Sequence, residues 1–246
     1  MSTLKKIVSA SLLFLSLSIN AETARIAVAA NFAPTLKQLS TVFEQQTPHK
    51  LVIVSGSTGK LFAQIEHGAP FHAFLSADSK RADELLKRGN AIQGSGFIYA
   101  RGQLVYWAPK ESPREDKPNF STLRTLAMAN PKLAPYGAAS QSAAANLLDQ
   151  KIPPYKTIFG SNITQTLQFI ASGSVDAGFI SLSQLIMMPE QKRGYWWHVP
   201  ENFHTPLTQK AVLLKKGVKN AAALAFLDYL QSEAAITRIA QNGYTQ

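Results

Sequence analysis

The sequence predicts an α/β protein built as two successive units. Three observations carry that expectation. Short β-branched runs alternate with stretches of helical spacing from residue 25 to the C-terminus, and a polar, proline-bearing segment at 110–119 interrupts the alternation midway. The 246 residues are also 46% hydrophobic against 16% charged, enough to bury one large core or two modest ones.

The first element, residues 25–30 (RIAVAA), is an apolar run with β-branched Ile26 and Val28. It enters a helix in which Leu36, Leu39 and Phe43 share one face. Residues 51–54 (LVIV) form a second strand, broken by 55–59 before Leu61, Phe62 and Ile65 fall on a helical stripe. Residues 72–76 (HAFLS) form a third, with Asp78 or Ser79 as N-cap of a helix over 82–88 that Gly89 closes. A unit boundary is expected near residue 100. Beyond it come strand 103–108, strand 125–129, a helix after Gly137, a helix around Leu167 and Ile170, and strand 177–180. Strand 210–214 and two C-terminal helices with Leu224, Leu227, Leu230, Ile236 and Ile239 complete the chain. Such alternation predicts parallel sheets with helices on both sides.

With no cysteine, thiol catalysis, disulfides and thiolate metal sites are excluded. The formal net charge of +10 suits an anionic partner or a basic surface without choosing between them. Lys5 and Lys6 precede an apolar run at 7–19, the length of a secretory h-region and short for a membrane span, so residues 1–21 read as a signal peptide cut after Ala21. The product is expected in the periplasm, where lack of cysteine avoids the disulfide machinery.

In open α/β sheets, ligands sit beyond the carboxyl ends of the strands, where helix N-termini present unpaired N–H groups. Four strand-to-helix turns here are small and uncharged: Ala30-Asn31-Phe32, Gly56-Ser57-Thr58-Gly59, Pro135-Tyr136-Gly137 and Ser161-Asn162-Ile163. Their hydroxyls, amides and backbone N–H groups could surround a desolvated oxyanion. The plainer expectation is that Asn31, Ser57, Thr58 and Asn162 each cap a helix.

Other motifs fail on inspection. The stretch Val54-Ser55-Gly56-Ser57-Thr58-Gly59-Lys60-Leu61 imitates a phosphate-binding loop, but Val54 replaces its first glycine and Leu61 the magnesium-holding hydroxyl. His49, His67, His72, His198 and His204 lack metal-ligand spacing, and Asp78 has no identifiable acid or base partner, so capping or bridging between units is its expected role. Trp196 and Trp197 are expected in a core or interface. Basic residues are scattered, which argues against nucleic acid.

At these turns the sequence resembles the periplasmic molybdate-binding proteins of ABC transporters. The likeness runs through Val28-Ala29-Ala30-Asn31-Phe32, Gly56-Ser57-Thr58-Gly59 with Gln64-Ile65-Glu66-His67-Gly68-Ala69-Pro70, and Phe74-Leu75-Ser76-Ala77-Asp78. It continues through Leu104-Val105-Tyr106-Trp107-Ala108-Pro109-Lys110, Ala129-Asn130-Pro131, Pro135-Tyr136-Gly137 and Asp176-Ala177-Gly178-Phe179-Ile180. The resemblance implies a two-lobed, type II periplasmic-binding-protein fold, each lobe a mostly parallel sheet flanked by helices. Lobe I would comprise 22–98 with 208–246, and lobe II 99–207, with the ligand between them. It implies binding of molybdate or tungstate by Asn31, Ser57, Thr58, Tyr136 and the backbone of Ile163, without cofactor, direct metal ligand or catalysis. Delivery to a membrane permease and a monomeric state follow as expectations. The nearer alternative is a binder of another oxyanion or small organic anion; an extracytoplasmic enzyme on the same scaffold is the further one. Some relatives place a tyrosine on the anion where this chain has Ser181, a donor that the Tyr136 phenol could replace.

Overall fold

The computed structural model describes residues 20–148 and 155–246. The expected h-region at 7–19, with Lys5 and Lys6, lies outside them. Among the described residues, no helix is long and apolar enough to cross a membrane.

Two five-stranded sheets organise the chain. In the first, β1 (Thr23–Ala29) runs parallel to β2 (Lys50–Gly56) and to β3 (Ala73–Ser76), while β10 (Leu207–Leu213) lies antiparallel to β3 and to the edge strand β4 (Phe97–Gly102). The second repeats the pattern. β6 (Thr125–Ala129) is parallel to β7 (Lys156–Gly160) and β8 (Ala177–Ser181), and β5 (Leu104–Ala108) is antiparallel to β8 and β9 (Tyr195–His198). Each sheet is therefore mixed. The parallel expectation holds for the half built by strand-helix alternation; the antiparallel half is made where the chain exchanges sheets. It does so between Gly102 and Leu104 and again between His198 and Leu207, a few residues from the division expected at 98/99 and 207/208.

Alternation along β1 explains why it is a continuous apolar run. Ile26 and Val28 pack with Leu36, Leu39 and Phe43 of α1 (Ala33–Gln46), Phe226 of α7 (Ala221–Leu230) and Ile239 of α8 (Glu233–Gln241). Ala27 faces the other way, with Leu61 and Ile65 of α2 (Thr58–Glu66) and Leu85 of α3 (Ser79–Lys87). A sheet covered on both faces needs no polar side. In the second sheet, Tyr106 joins the cluster containing Ala139 and Ala143 of α4 (Pro135–Leu147), and Val105 and Trp107 meet Ile170 of α5 (Ile163–Ala171) on the opposite face. One short helix, α6 (Leu182–Ile186), follows β8 directly.

Strand β9 falls outside the sequence expectation, as do strands β4 and β7. The latter two are edge strands with irregular burial, and each leaves a large apolar side chain about half exposed, Ile98 at 48% and Phe159 at 49%. Neither a continuous run nor a clean alternation marks them. Trp196 and Trp197 lie in β9, where Trp197 packs on Phe203.

Candidate functional site

All four anticipated turns meet at one place. Asn31 precedes α1, Ser57 is the N-cap of α2, Tyr136 sits in the first turn of α4, and Asn162 is the N-cap of α5. These residues, with Ala30, Thr58, Pro135 and Ile163, line one small cavity between the two sheets. Among the described residues, no Lys, Arg, His, Asp or Glu lines it. The first N–H groups of a helix have no intrahelical acceptor, so Thr58, Tyr136 and Ile163 bring unpaired donors and three positive dipole ends to the cavity. The backbone N–H of Asn31 likewise has no acceptor among the described residues.

Capping accounts for only one of the four polar side chains. Asn162 does cap, its Oδ1 accepting from Gln165 N at 3.0 Å. Ser57 does not: its side chain makes no capping bond, and its Oγ is buried without a hydrogen-bond partner. Thr58 Oγ1 accepts from Ala77 N at 3.3 Å, and its own proton stays free to be donated. The Asn31 amide is turned aside, its Nδ2 donating to Gln209 Oε1 at 2.9 Å and Tyr244 Oη at 3.3 Å. Asn31 therefore offers the cavity its backbone N–H.

Tyr136 is buried, and its hydroxyl has no partner in hydrogen-bonding geometry. Burial pushes this phenol well above its ordinary range, with the Gln209 and Asn31 amides acting the other way, so it keeps its proton at neutral pH. Ser181 does not line the cavity. It caps α6 in a reciprocal pairing with Gln184, which engages its hydroxyl locally. Tyr244, pushed up to about 12 by burial, lies 2.8 Å from Asn31 O and 3.0 Å from Ser183 Oγ. It thereby joins the first turn to α6 of the other sheet.

The two sheets are in contact around the cavity. Gly59 N donates to Leu133 O at 2.8 Å, and a side chain at Gly59 would meet that carbonyl at 2.9 Å. Asp78 caps α3 by accepting from Arg81 N at 2.9 Å and pairs with the Arg81 guanidinium, which donates to Lys132 O at 3.3 Å. Capping and bridging are thus both served by Asp78, the second through Arg81. Asp78→Ala is expected to destabilise the protein by about 1 to 2 kcal/mol, mainly through the lost cap. Thermal unfolding with an unchanged midpoint would contradict that role.

The histidines lie elsewhere. His72 Nδ1 accepts from Arg25 N, His49 Nδ1 from Glu22 N, and His198 meets Gln103, none on the cavity. Among the described residues, no group of three or more His, Asp or Glu could hold a metal ion. The residues that sequence reasoning missed are Gln209 and Tyr244. A signal for Gln209 existed: alternation along β10 puts it on the buried face with Leu207 and Ala211.

Residues 24–245 match the family described as bacterial extracellular solute-binding protein. The molybdate-binding protein ModA of Azotobacter vinelandii is 39% identical over 223 residues, covering 89% of this chain and 88% of the relative. That of Rhodobacter capsulatus is 38% identical over 220 residues, covering 89% and 86%. Among solved structures, the Azotobacter vinelandii periplasmic molybdate-binding protein superimposes with a TM-score of 0.82 at 34% identity, covering 91% of this chain and 99% of that one. An uncharged cavity at the strand-to-helix turns of both sheets, in a chain alike with these relatives over about nine tenths of its length, places the protein: it belongs to the bacterial extracellular solute-binding family, among the molybdate-binding proteins.

Proposed function

We propose that this protein binds molybdate, and tungstate with it, in the cavity between the sheets and delivers the anion to the permease of an ABC-type uptake system. One observation carries the reading: four helix-initiating turns from two sheets converge on a cavity without charge that holds the unpartnered Ser57 Oγ. The donors would be Ser57 Oγ, Thr58 Oγ1 and the backbone N–H groups of Asn31, Thr58, Tyr136 and Ile163, with the Tyr136 hydroxyl. Hydrogen bonds to a charged oxygen are about twice as strong as neutral ones, and they strengthen as water is excluded. No bond is made or broken. The two sheets serve as lobes, hinged where the chain crosses between them, and closure assembles the donor set. The work is that of a monomer in the periplasm after removal of the N-terminal signal.

Selectivity follows from the same donors. A cavity fitted to molybdate leaves the smaller sulfate with stretched bonds and buried donors unpaired. Phosphate brings a proton that needs an acceptor, and the lining holds no carboxylate. Isothermal titration should show tight binding of molybdate and tungstate, with sulfate and phosphate weaker by at least about 100-fold, the discrimination expected where buried polar groups go unpaired. Absence of heat with the first two anions rejects the proposal.

A further inference from the structure

The donor set leaves one buried side chain of β10 unused. Gln209 is fully buried, and its Oε1 accepts from both Asn31 Nδ2 and the Tyr99 hydroxyl, each at 2.9 Å. Two donors on one oxygen fix which way round the amide lies. Gln209 Nε2 must then point away from them, and it is buried without an acceptor. The Tyr136 hydroxyl, arriving from the other sheet, is the second buried polar atom here without a partner. Both lie over Gly102: a methyl group placed there would stand 2.1 Å from the Tyr136 oxygen and 2.8 Å from Gln209 Nε2. An amide N–H can only donate, whereas a phenol oxygen accepts one proton and donates its own.

We infer that Gln209 is a positioning residue for anion capture: its Nε2 donates to the Tyr136 oxygen, so the single phenol proton is left for the anion in the cavity. The inference rests on the proposed reading of that cavity as an oxyanion site. It gives the hinge strand β10 a part in recognition without touching the ligand. It also explains a neutral glutamine in the core of a strand, where an apolar residue would pack without needing a partner. The buried phenol holds its proton at neutral pH, as this arrangement requires.

Titration of the purified protein with molybdate, across Tyr136→Phe, Gln209→Met, Gln209→Glu and the Tyr136→Phe/Gln209→Met pair, tests the inference. Tyr136→Phe should weaken binding about 10- to 100-fold, the worth of one hydrogen bond to a charged group. Gln209→Met should cost a similar factor in the wild-type background and less than about threefold once Phe stands at 136, because coupled residues are not additive. Gln209→Glu should bind poorly at pH 8, where the introduced carboxylate accepts the phenol proton, and recover as pH falls towards 6. There burial favours the protonated carboxyl, which restores a donor. Gln209→Met should show no such recovery, and thermal melts establish that each variant is folded. Equal cost of Gln209→Met in both backgrounds overturns the inference, since the residue would then act only through Asn31. An unchanged affinity in Tyr136→Phe overturns it as well. Neither result touches the oxyanion reading, which fails separately if the wild-type protein gives no heat.

Discussion

Gly102→Ala is expected to weaken molybdate binding by at least about 100-fold while moving the melting point of the ligand-free protein by only a few degrees. The added methyl group would stand 2.1 Å from the Tyr136 oxygen and 2.9 Å from Cζ, distances that no side-chain methyl group tolerates. Tyr136 rides on α4 of the second sheet and Gly102 on β4 of the first, so the added methyl group would press the two sheets apart beside the cavity. Overpacking of this kind costs about 1 to 3 kcal/mol, and the phenol's hydrogen bond to the anion is lost with it, together worth a factor near 100 or more. A second substitution makes the test sharp. Tyr136→Phe, harmful by itself, removes the atom at 2.1 Å and should partly restore binding in the Gly102→Ala background. Titration and thermal scanning with and without molybdate check both statements; a double variant weaker than Gly102→Ala alone would show that contact between the phenol and position 102 does not govern binding.

Much of this seat was hidden from the sequence, and the reason is physical. Three of the turns were legible because each follows an apolar strand and opens a helix, so local spacing places Asn31, Ser57 and Tyr136 beyond strand ends, whereas the turn at Ile163 was legible only from the helix it opens, because β7 carries no strand signal. Doubling of the α/β unit was legible for the same reason. Gln209, Tyr244 and Gly102 come from places far apart in the chain, and nothing local records that Tyr244 reaches Asn31, 213 residues away. The division of labour among Asn31, Ser57 and Asn162 was also beyond reach. All three are good capping residues, and only the surrounding acceptors decide that Asn162 caps, Asn31 binds Gln209 and Ser57 faces the cavity unpaired. The antiparallel half of each sheet escaped because β5 and β10 owe their direction to the chain's exchange between sheets, a long-range property with no periodic signature.

The largest effect on stability is expected from Gly137→Ala. A methyl group there would meet Ala129 O at 2.3 Å, Ala129 C at 2.7 Å and Asn130 C at 2.8 Å, all backbone atoms that no rotamer change can move. Close approach lets the first turn of α4 rest against the end of β6, and that contact holds the Tyr136 N–H over the cavity. Lifting the helix should cost about 3 kcal/mol, the upper part of the overpacking range, and lower the melting point by roughly 6 to 12 °C for a chain of this size. Ligand response separates this from general damage. At saturating molybdate the wild-type protein gains stability by mass action, about 4 kcal/mol at a thousandfold excess over Kd, and Gly137→Ala should lose most of that gain because its donor is displaced. Gly68→Ala serves as the comparison: its φ of +81° makes alanine strained, but nothing lies within 4 Å, so it should lower stability and leave the molybdate-induced rise intact. Equal molybdate-induced shifts in the two variants would mean that the seating of α4 on β6 does not position the anion's donors.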